Sequence, residues 1–226
     1  MSAPLIHLGW IDSTQDFLDR HPELWPCAVL ADCQVSGRGR RGNGWESAPG
    51  AGLWLSAALP LAEVPPGLVL QRAMGAVAEA LEPFGVPLGL KWPNDLVAWR
   101  DGRLVKLGSI IGQVKGERML LGVGVNLSSA PVIPGRPIPP ACLAELGPGR
   151  DLPGTEALAL EILAAWGDLA TQREPGFLWP VPGEPIRWED GEGICAGWLE
   201  DGRLAVDSAA GLQNLAVGDV SGLNQG

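Results

Sequence analysis

The stretch Leu88–Leu127, LGLKWPNDLVAWRDGRLVKLGSIIGQVKGERMLLGVGVNL, reads as a run of short strands turning back on one another. Leu88–Trp92 and Leu96–Trp99 are apolar segments separated by the break Pro93-Asn94-Asp95. Asp101-Gly102 is a hairpin turn signal, because both positions of a tight turn accept positive φ. Leu104–Val114 and Met119–Leu127 form a second antiparallel pair around Gly116-Glu117. Lys91, Lys106 and Asn126 interrupt or end these apolar runs, so the strands are expected to floor a pocket.

Working outward, Gly52–Leu59 alternates with Leu53, Leu55, Ala57 and Leu59 on one side, the period of a half-buried strand. Residues 5–12 and Ala28–Asp32 read as further strands. Ser13 is a candidate N-cap for a short helix through Phe17, Leu18 and Arg20. Leu70, Ala73, Val77 and Leu81 repeat at helical spacing within 66–84, and Thr155–Gln172 carries a second such pattern. Helices beside a mixed, largely antiparallel sheet make the main domain α+β. Residues 129–153 are proline-rich and aperiodic, an irregular connection, and Pro175–Pro185 reads as a linker. The last forty residues show short strands with turns at Asp190-Gly191, Asp201-Gly202 and near Gly211, the pattern of a small β-barrel. The expected division is 1–178 for the main domain and 179–226 for the barrel.

The formal net charge of −10 argues against general binding to nucleic acid or to an anionic membrane. No run approaches the ~18 apolar residues of a membrane span. Cys27, Cys33, Cys142 and Cys195 are scattered, without the C-x-x-C spacing of a zinc site or redox dithiol. A reducing cytoplasm is the expected compartment.

Against that acidic background, Gly37-Arg38-Gly39-Arg40-Arg41-Gly42-Asn43-Gly44-Trp45 is a basic island. Arginines supply planar forks for carboxylate and phosphate, and glycines let backbone approach a ligand. Slung between two strands, it is placed to act as a lid over an anion. Lysine is scarce, only Lys91, Lys106 and Lys115, and two of the three fall in or beside apolar strands. There is no G-x-x-x-x-G-K-[ST], no strand-led G-x-G-x-x-G and no G-x-S-x-G. His7 and His21 both lie at the N-terminal edge, so catalysis here would rest on fixed cations and positioning rather than on a histidine base.

Ser13-Thr14, Gln34, Gly37-Arg-Gly-Arg-Arg-Gly, Trp45, Lys91-Trp-Pro-Asn-Asp-Leu, Lys106-Leu-Gly and Gly122-Val-Gly-Val-Asn follow the order seen in biotin protein ligases. The chain resembles that family over about residues 5–128 by motif, and its tail resembles the family's small C-terminal barrel more loosely. The resemblance implies a catalytic domain like those of class II aminoacyl-tRNA synthetases with an SH3-like barrel. With only a dozen residues before Ser13-Thr14, the expectation is a short monofunctional ligase without a DNA-binding domain. The implied chemistry has two steps: biotin and ATP form biotinyl-5′-AMP, with Mg²⁺ assisting, and a lysine of a biotin carboxyl carrier domain then takes the biotinyl group.

By that resemblance Ser13, Thr14, Gln15 and Gln34 hold biotin, together with Arg38, Gly39, Arg40 and Lys106. Arg38, Arg40, Arg41, Trp45, Lys91, Asn94 and Asn126 hold ATP and the adenylate. Lys106, Arg40 and Asp95 are the catalytic candidates, with Asp95 also the metal ligand. A homodimer through edge strands or the barrel is among the states open to the chain. Gln15 stands where Asn is common in the family, Ser109 where Gly often sits, Gln113 where Glu is common, and Gly42-Asn43-Gly44 replaces a more basic continuation of the loop. Two other readings remain open: a lipoate or octanoate protein ligase of similar architecture, and a non-catalytic biotin-binding sensor. The arginine loop followed by KWPND speaks against the first, and Lys106 against the second.

Overall fold

A computed structural model describes residues 4–42, 44–61, 64–147, 149–169, 177–216 and 218–223, without the side chain of Arg41. The chain opens with β1 (Leu5–Ile11), α1 (Thr14–Arg20) and β2 (Cys27–Gln34). Ser13 caps α1 by accepting the Asp16 N–H at 3.3 Å, and Arg20 in the last turn reaches back to Asp12 at 2.6 Å. The arginine loop is a small ribbon, β3 (Gly37–Arg38) against β4 (Gly44–Trp45), with a 3₁₀ turn at Arg40–Gly42 between them. Strand β5 (Gly52–Pro60) and helix α2 (Pro66–Leu81) follow. Gly85, at φ 70°, ends the 3₁₀ extension Glu82–Phe84 of that helix.

The quoted stretch is four strands: β6 (Leu88–Lys91), β7 (Asp95–Arg100), β8 (Arg103–Lys115) and β9 (Arg118–Asn126). Asp101 and Gly102 take φ of 51° and 75° in the β7–β8 turn, as its sequence requires. After the irregular connection come α3 (Leu143–Leu146) and α4 (Thr155–Trp166). The sequence pattern carries α4 on to Gln172, but the helix ends at Trp166 with Gly167 as its C-cap and turns over 167–169, because glycine weakens the helix there; residues 170–176 lie outside the described set. Phe177–Trp179, part of the expected linker, is instead a strand, β10. It pairs in parallel with β6, so the apolar Phe-Leu-Trp run completes a sheet edge despite its proline neighbours.

The large sheet has the order β1-β2-β5-β9-β8-β7-β6-β10. Only its two end pairs, β1–β2 and β6–β10, are parallel, which gives the mixed, largely antiparallel α+β architecture expected. The last segment forms β11 (Pro185–Trp188), β12 (Gly191–Trp198), β13 (Leu204–Ser208), β14 (Gly211–Leu215) and β15 (Ser221–Gly222). These pair as a five-stranded antiparallel sheet in the order β14-β13-β12-β11-β15. Its ladder among the described residues is open: β14 and β15 are its edges and do not pair with each other.

The alternation of each strand sorts side chains onto two faces. Leu30, Leu53, Leu55, Leu121, Val123, Val125, Leu107, Ile110 and Leu96 join Val77, Leu81 and Ile162 of α2 and α4 in the main core. On the other face, Leu18 of α1 packs on Val29, Ala58 and Leu120 at one end. The C-terminal sheet packs Ile186, Leu204, Val206 and Val220 on Val97, Leu104 and Trp92 at the other end. Between those two apolar contacts the face is polar, and there the site lies.

Candidate active site

The middle of that face carries Ser56 of β5, Gly122 and Gly124 of β9, and Ser109 and Ile111 of β8. With Ser13, Thr14, Gln15, Gln34, Arg38 and Trp45 they line a pocket of about 320 Å³, its open mouth included. The glycines have a steric reason. A Cβ on Gly122 would come within 2.4 Å of Gln15 Oε1, and one on Gly124 within 2.7 Å of the Trp45 ring. The GVGVN motif therefore alternates core valines with cleared space.

The pocket's closed end is a network of neutral polar groups. Gln34 Oε1 accepts from the Thr14 N–H at 2.9 Å and from its hydroxyl at 3.0 Å. Thr14 Oγ1 lies 2.8 Å from Ser56 Oγ, and Ser56 Oγ in turn lies 3.4 Å from Gln15 Oε1. Gln15 is fixed by donating to the Leu120 carbonyl at 3.3 Å, and Gln34 by donating to Ser47 Oγ at 3.3 Å. Ser13, Thr14, Gln15 and Ser56 are all nearly inaccessible to solvent and are already hydrogen-bonded within the fold, so the closed end is a preorganised network for a ligand with both donors and acceptors.

A charged cluster adjoins the pocket. Lys106 Nζ is 2.7 Å from Asp95 Oδ1, and Lys91 Nζ is 3.9 Å from Asp95 Oδ2. Lys106 also stands 5.7 Å from the centroid of the Trp45 ring, which is a pocket wall. A β-bulge sets this up. Val97 pairs with Lys106 but Leu96 pairs with Gly108, leaving Leu107 as an extra residue on β8. Three residues apart, Lys106 and Ser109 would otherwise point to opposite faces. The bulge turns both toward Asp95 while Leu107 stays in the core. The main chain of Lys106 is pinned by the irregular connection, bonding Pro139 O and the Ala141 N–H at 2.9 and 2.8 Å.

Arg40 reaches the cluster from the ribbon, donating to Asn94 Oδ1 at 3.2 Å and to the Gly218 carbonyl at 2.8 Å. Asn94 is held by donating to Ile110 O at 2.8 Å. The most distant contributor is Asp219, whose carboxylate is 2.6 Å from Lys91 Nζ. Crowding against Lys91 partly desolvates the otherwise exposed Asp219 carboxyl and pushes it up, but Lys91, Lys106 and Arg40 outweigh this and hold it below the usual carboxylate range.

Of the residues singled out by sequence, Ser13, Thr14, Gln15, Gln34, Arg38 and Trp45 meet in the pocket, and Arg40, Lys91, Asn94, Asp95 and Lys106 in the adjoining cluster. Arg38 is paired with Asp16 of α1 at 2.7 Å, tying the ribbon to the helix. Gly39 links β3 to the 3₁₀ turn. Asn126 sits one alternation beyond Gly124 and donates to Ala141 O at 3.1 Å. Its Oδ1 and the Trp45 Nε1 are buried without a hydrogen-bond partner among the described residues. The Arg41 side chain and Asn43 lie outside the described residues. Ser56 was missed, although a lone hydroxyl on the second face of an apolar strand is a readable signal. Asp219 was missed because nothing local marks it: it arrives from 128 residues beyond Lys91.

Fold and site together define an α+β protein whose mixed sheet presents a polar pocket beside a lysine–carboxylate cluster. Residues 9–128 match the biotin/lipoate A/B protein ligase family, and the chain belongs to that family. Over 110 residues it is 38% identical to the biotin–[acetyl-CoA-carboxylase] ligase of Mycobacterium tuberculosis, an alignment covering 46% of this chain and 40% of that protein. Over 128 residues it is 38% identical to the bifunctional ligase/repressor BirA of Escherichia coli, covering 52% and 39%. The chain thus spans about two fifths of the length of these curated relatives. Its fold matches that of the biotin protein ligase from Aquifex aeolicus in complex with biotin and ATP, with a TM-score of 0.75 at 24% identity over 96% of this chain and 97% of that one.

Proposed function

We propose that the protein is an ATP-dependent ligase that activates biotin as biotinyl-5′-AMP and transfers it to a lysine of a biotin carboxyl carrier domain. The observation that carries this reading is the junction of a pocket whose closed end is a neutral hydrogen-bonding network with a cluster of three cations across Trp45. Biotin's ureido ring both donates and accepts hydrogen bonds, which suits Ser13, Thr14, Gln34 and Ser56. A lipoyl ring or an octanoyl tail carries no donor and acceptor pair to exchange into that internally bonded network, which favours biotin over both. With the ureido at the closed end, the carboxylate extends toward Lys106.

There a biotin carboxylate oxygen attacks the α-phosphorus of ATP as the bond to the β-phosphate bridge breaks and pyrophosphate leaves. Lys106 offsets the negative charges that must approach each other, and Arg38 and Arg40 grip the carboxylate and phosphates. Gly39 lets the ribbon backbone come close, and Arg41 adds a third cation to the lid. Lys91 takes the outer phosphates. Trp45 and Asn126 seat the adenine, offering a buried donor and acceptor that lack partners among the described residues. In the second step the acceptor amine attacks the biotinyl carbonyl carbon and AMP departs, the amine proton passing to Asp95.

Mg²⁺ binds through one or two carboxylates together with substrate phosphates. The carboxylate at the cluster that could serve as such a ligand is Asp95, whose oxygens now face Lys106 and Lys91; it would hold a metal that arrives on ATP. When bound it would neutralise phosphate charge. We also assign residues 1–178 to a catalytic domain of the class II synthetase kind and 179–226 to a small SH3-like barrel unit, supported by the five-stranded C-terminal sheet. No helix among the described residues is long and apolar enough to cross a membrane, and a cytoplasmic site of action suits ATP and carboxylase substrates. Biotin-dependent exchange of labelled pyrophosphate into ATP tests the first step. Exchange with biotin and none with lipoate or octanoate is expected; exchange with lipoate alone would replace the reading by a lipoate ligase, and biotin binding without exchange by a sensor.

A further inference from the structure

Lys91 is buried, its side chain only 4% exposed, and the anion closest to it belongs to neither the pocket nor the motifs. Asp219 Oδ1 lies 2.6 Å from Lys91 Nζ, whereas the neighbouring Asp95 oxygen is at 3.9 Å. The preceding residue, Gly218, gives its carbonyl to Arg40 at 2.8 Å. Two consecutive residues of the C-terminal segment thus present a carboxylate and a carbonyl oxygen to two of the cations on which the proposed phosphate site depends. The segment is anchored on its C-terminal side: Val220 is in the core that joins the two sheets, and β15 follows at once. Asp219 itself is 71% exposed, so it can swing into water without breaking that core.

The cluster is bonded in a definite order. Trp45 walls the pocket, Lys106 lies against Trp45 and on one oxygen of Asp95, Lys91 lies near the other oxygen, and Asp219 lies on Lys91. A triphosphate whose α-phosphorus sits at Lys106 extends its β and γ groups along this order and meets Lys91 where Asp219 now binds. A buried ammonium keeps an anion in both states, and two anions on one face of it repel.

We propose that Asp219 is a counter-ion that positions Lys91 in the free protein and is exchanged for the outer phosphates of ATP, so that the Gly218–Asp219 segment sets nucleotide affinity and is released when ATP or pyrophosphate binds. This rests on the ligase reading above. Because the Asp219–Lys91 pair belongs to the free state alone, weakening it favours the bound state.

Calorimetric titration of wild-type protein and Asp219→Asn with ATP, and separately with pyrophosphate, tests this. Asp219→Asn is expected to bind both roughly fivefold more tightly, the size of a modest ion pair, with biotin affinity unchanged and with KM for ATP, rather than kcat, carrying the change in pyrophosphate exchange. Equal or weaker ATP binding by the variant overturns the proposal while leaving the ligase reading in place; absence of ATP binding by the wild type overturns both. Amide exchange on the wild type gives an answer free of any folding defect in the variant. Gly218–Val220 should exchange faster with ATP or pyrophosphate and be unmoved by biotin alone, and slower exchange with ATP contradicts the proposal.

Discussion

On the helix-covered face of the eight-stranded sheet, Leu53, Leu55, Leu121, Val123 and Ile110 meet α2 and α4 with no polar side chain among them. On the opposite face the same strands, one residue over, present Ser56, Gly122, Gly124, Ser109 and Lys106. Neighbouring residues on one backbone ladder thus do unrelated work. The first face contributes burial, at about 25 cal/mol per Å² of apolar surface removed from water. The second gives up burial to hold glycines, hydroxyls and paired charges. Stability and chemistry are separated by a single step along each strand, and substitutions on the two faces should separate them as well.

The largest effect is expected on the polar face. Lys106→Ala removes the cation at which carboxylate and phosphate would meet in the proposed reaction, and it should lower biotin-dependent pyrophosphate exchange about a thousandfold while leaving the thermal midpoint near that of the wild type. Exchange within tenfold of wild type would detach Lys106 from the chemistry. Next comes the apolar face, one strand away. Leu121→Ala should cost about 3 kcal/mol in urea unfolding with KM for biotin unchanged at a temperature where the variant is folded. A raised KM at full stability would break the division of labour.

These two faces were not equally legible. The apolar face follows from period-two alternation, so the strands of the quoted stretch, the α+β class and helix α2 are all legible in the sequence. The short strand Phe177–Trp179 could not, because three residues among prolines carry no period and its pairing with β6 is set by tertiary contact. On the polar face, chemistry-bearing side chains could be named from motifs but not joined. Nothing in the local sequence says that Leu107 bulges and thereby aims Lys106 at Asp95. Nor does it say that Asp219 crosses back to Lys91.

A smaller effect sharpens the reading of the glycines. Gly122→Ala places a Cβ against Gln15 Oε1 and Ser56 Oγ. It should raise KM for biotin about tenfold, since an intruding methyl in a binding pocket costs on the order of 1–2 kcal/mol, with KM for ATP unmoved. An equal rise in both would mean that the strand has shifted rather than the pocket narrowed. The smallest effect is electrostatic. The folded-state pKa of Asp219 is lowered, so its contribution to stability is present above the ordinary value of 3.8 and is lost as pH falls through the lower folded value. Urea midpoints of the wild type and Asp219→Asn should differ at pH 7 and converge below pH ~3. A gap that persists in acid would assign the difference to packing.

The central claim is that the pocket and the cation cluster act as one site that makes an acyl-adenylate and passes it on. Intact-mass spectrometry of a biotin carboxyl carrier domain, incubated with the protein, ATP, Mg²⁺ and either biotin or lipoate, tests it most directly. A gain of one biotinyl group that requires ATP, is absent when the acceptor lysine is replaced, and has no counterpart with lipoate is the expected result. An unmodified carrier in the presence of biotin and ATP, or a lipoyl adduct in place of the biotinyl one, would contradict the account.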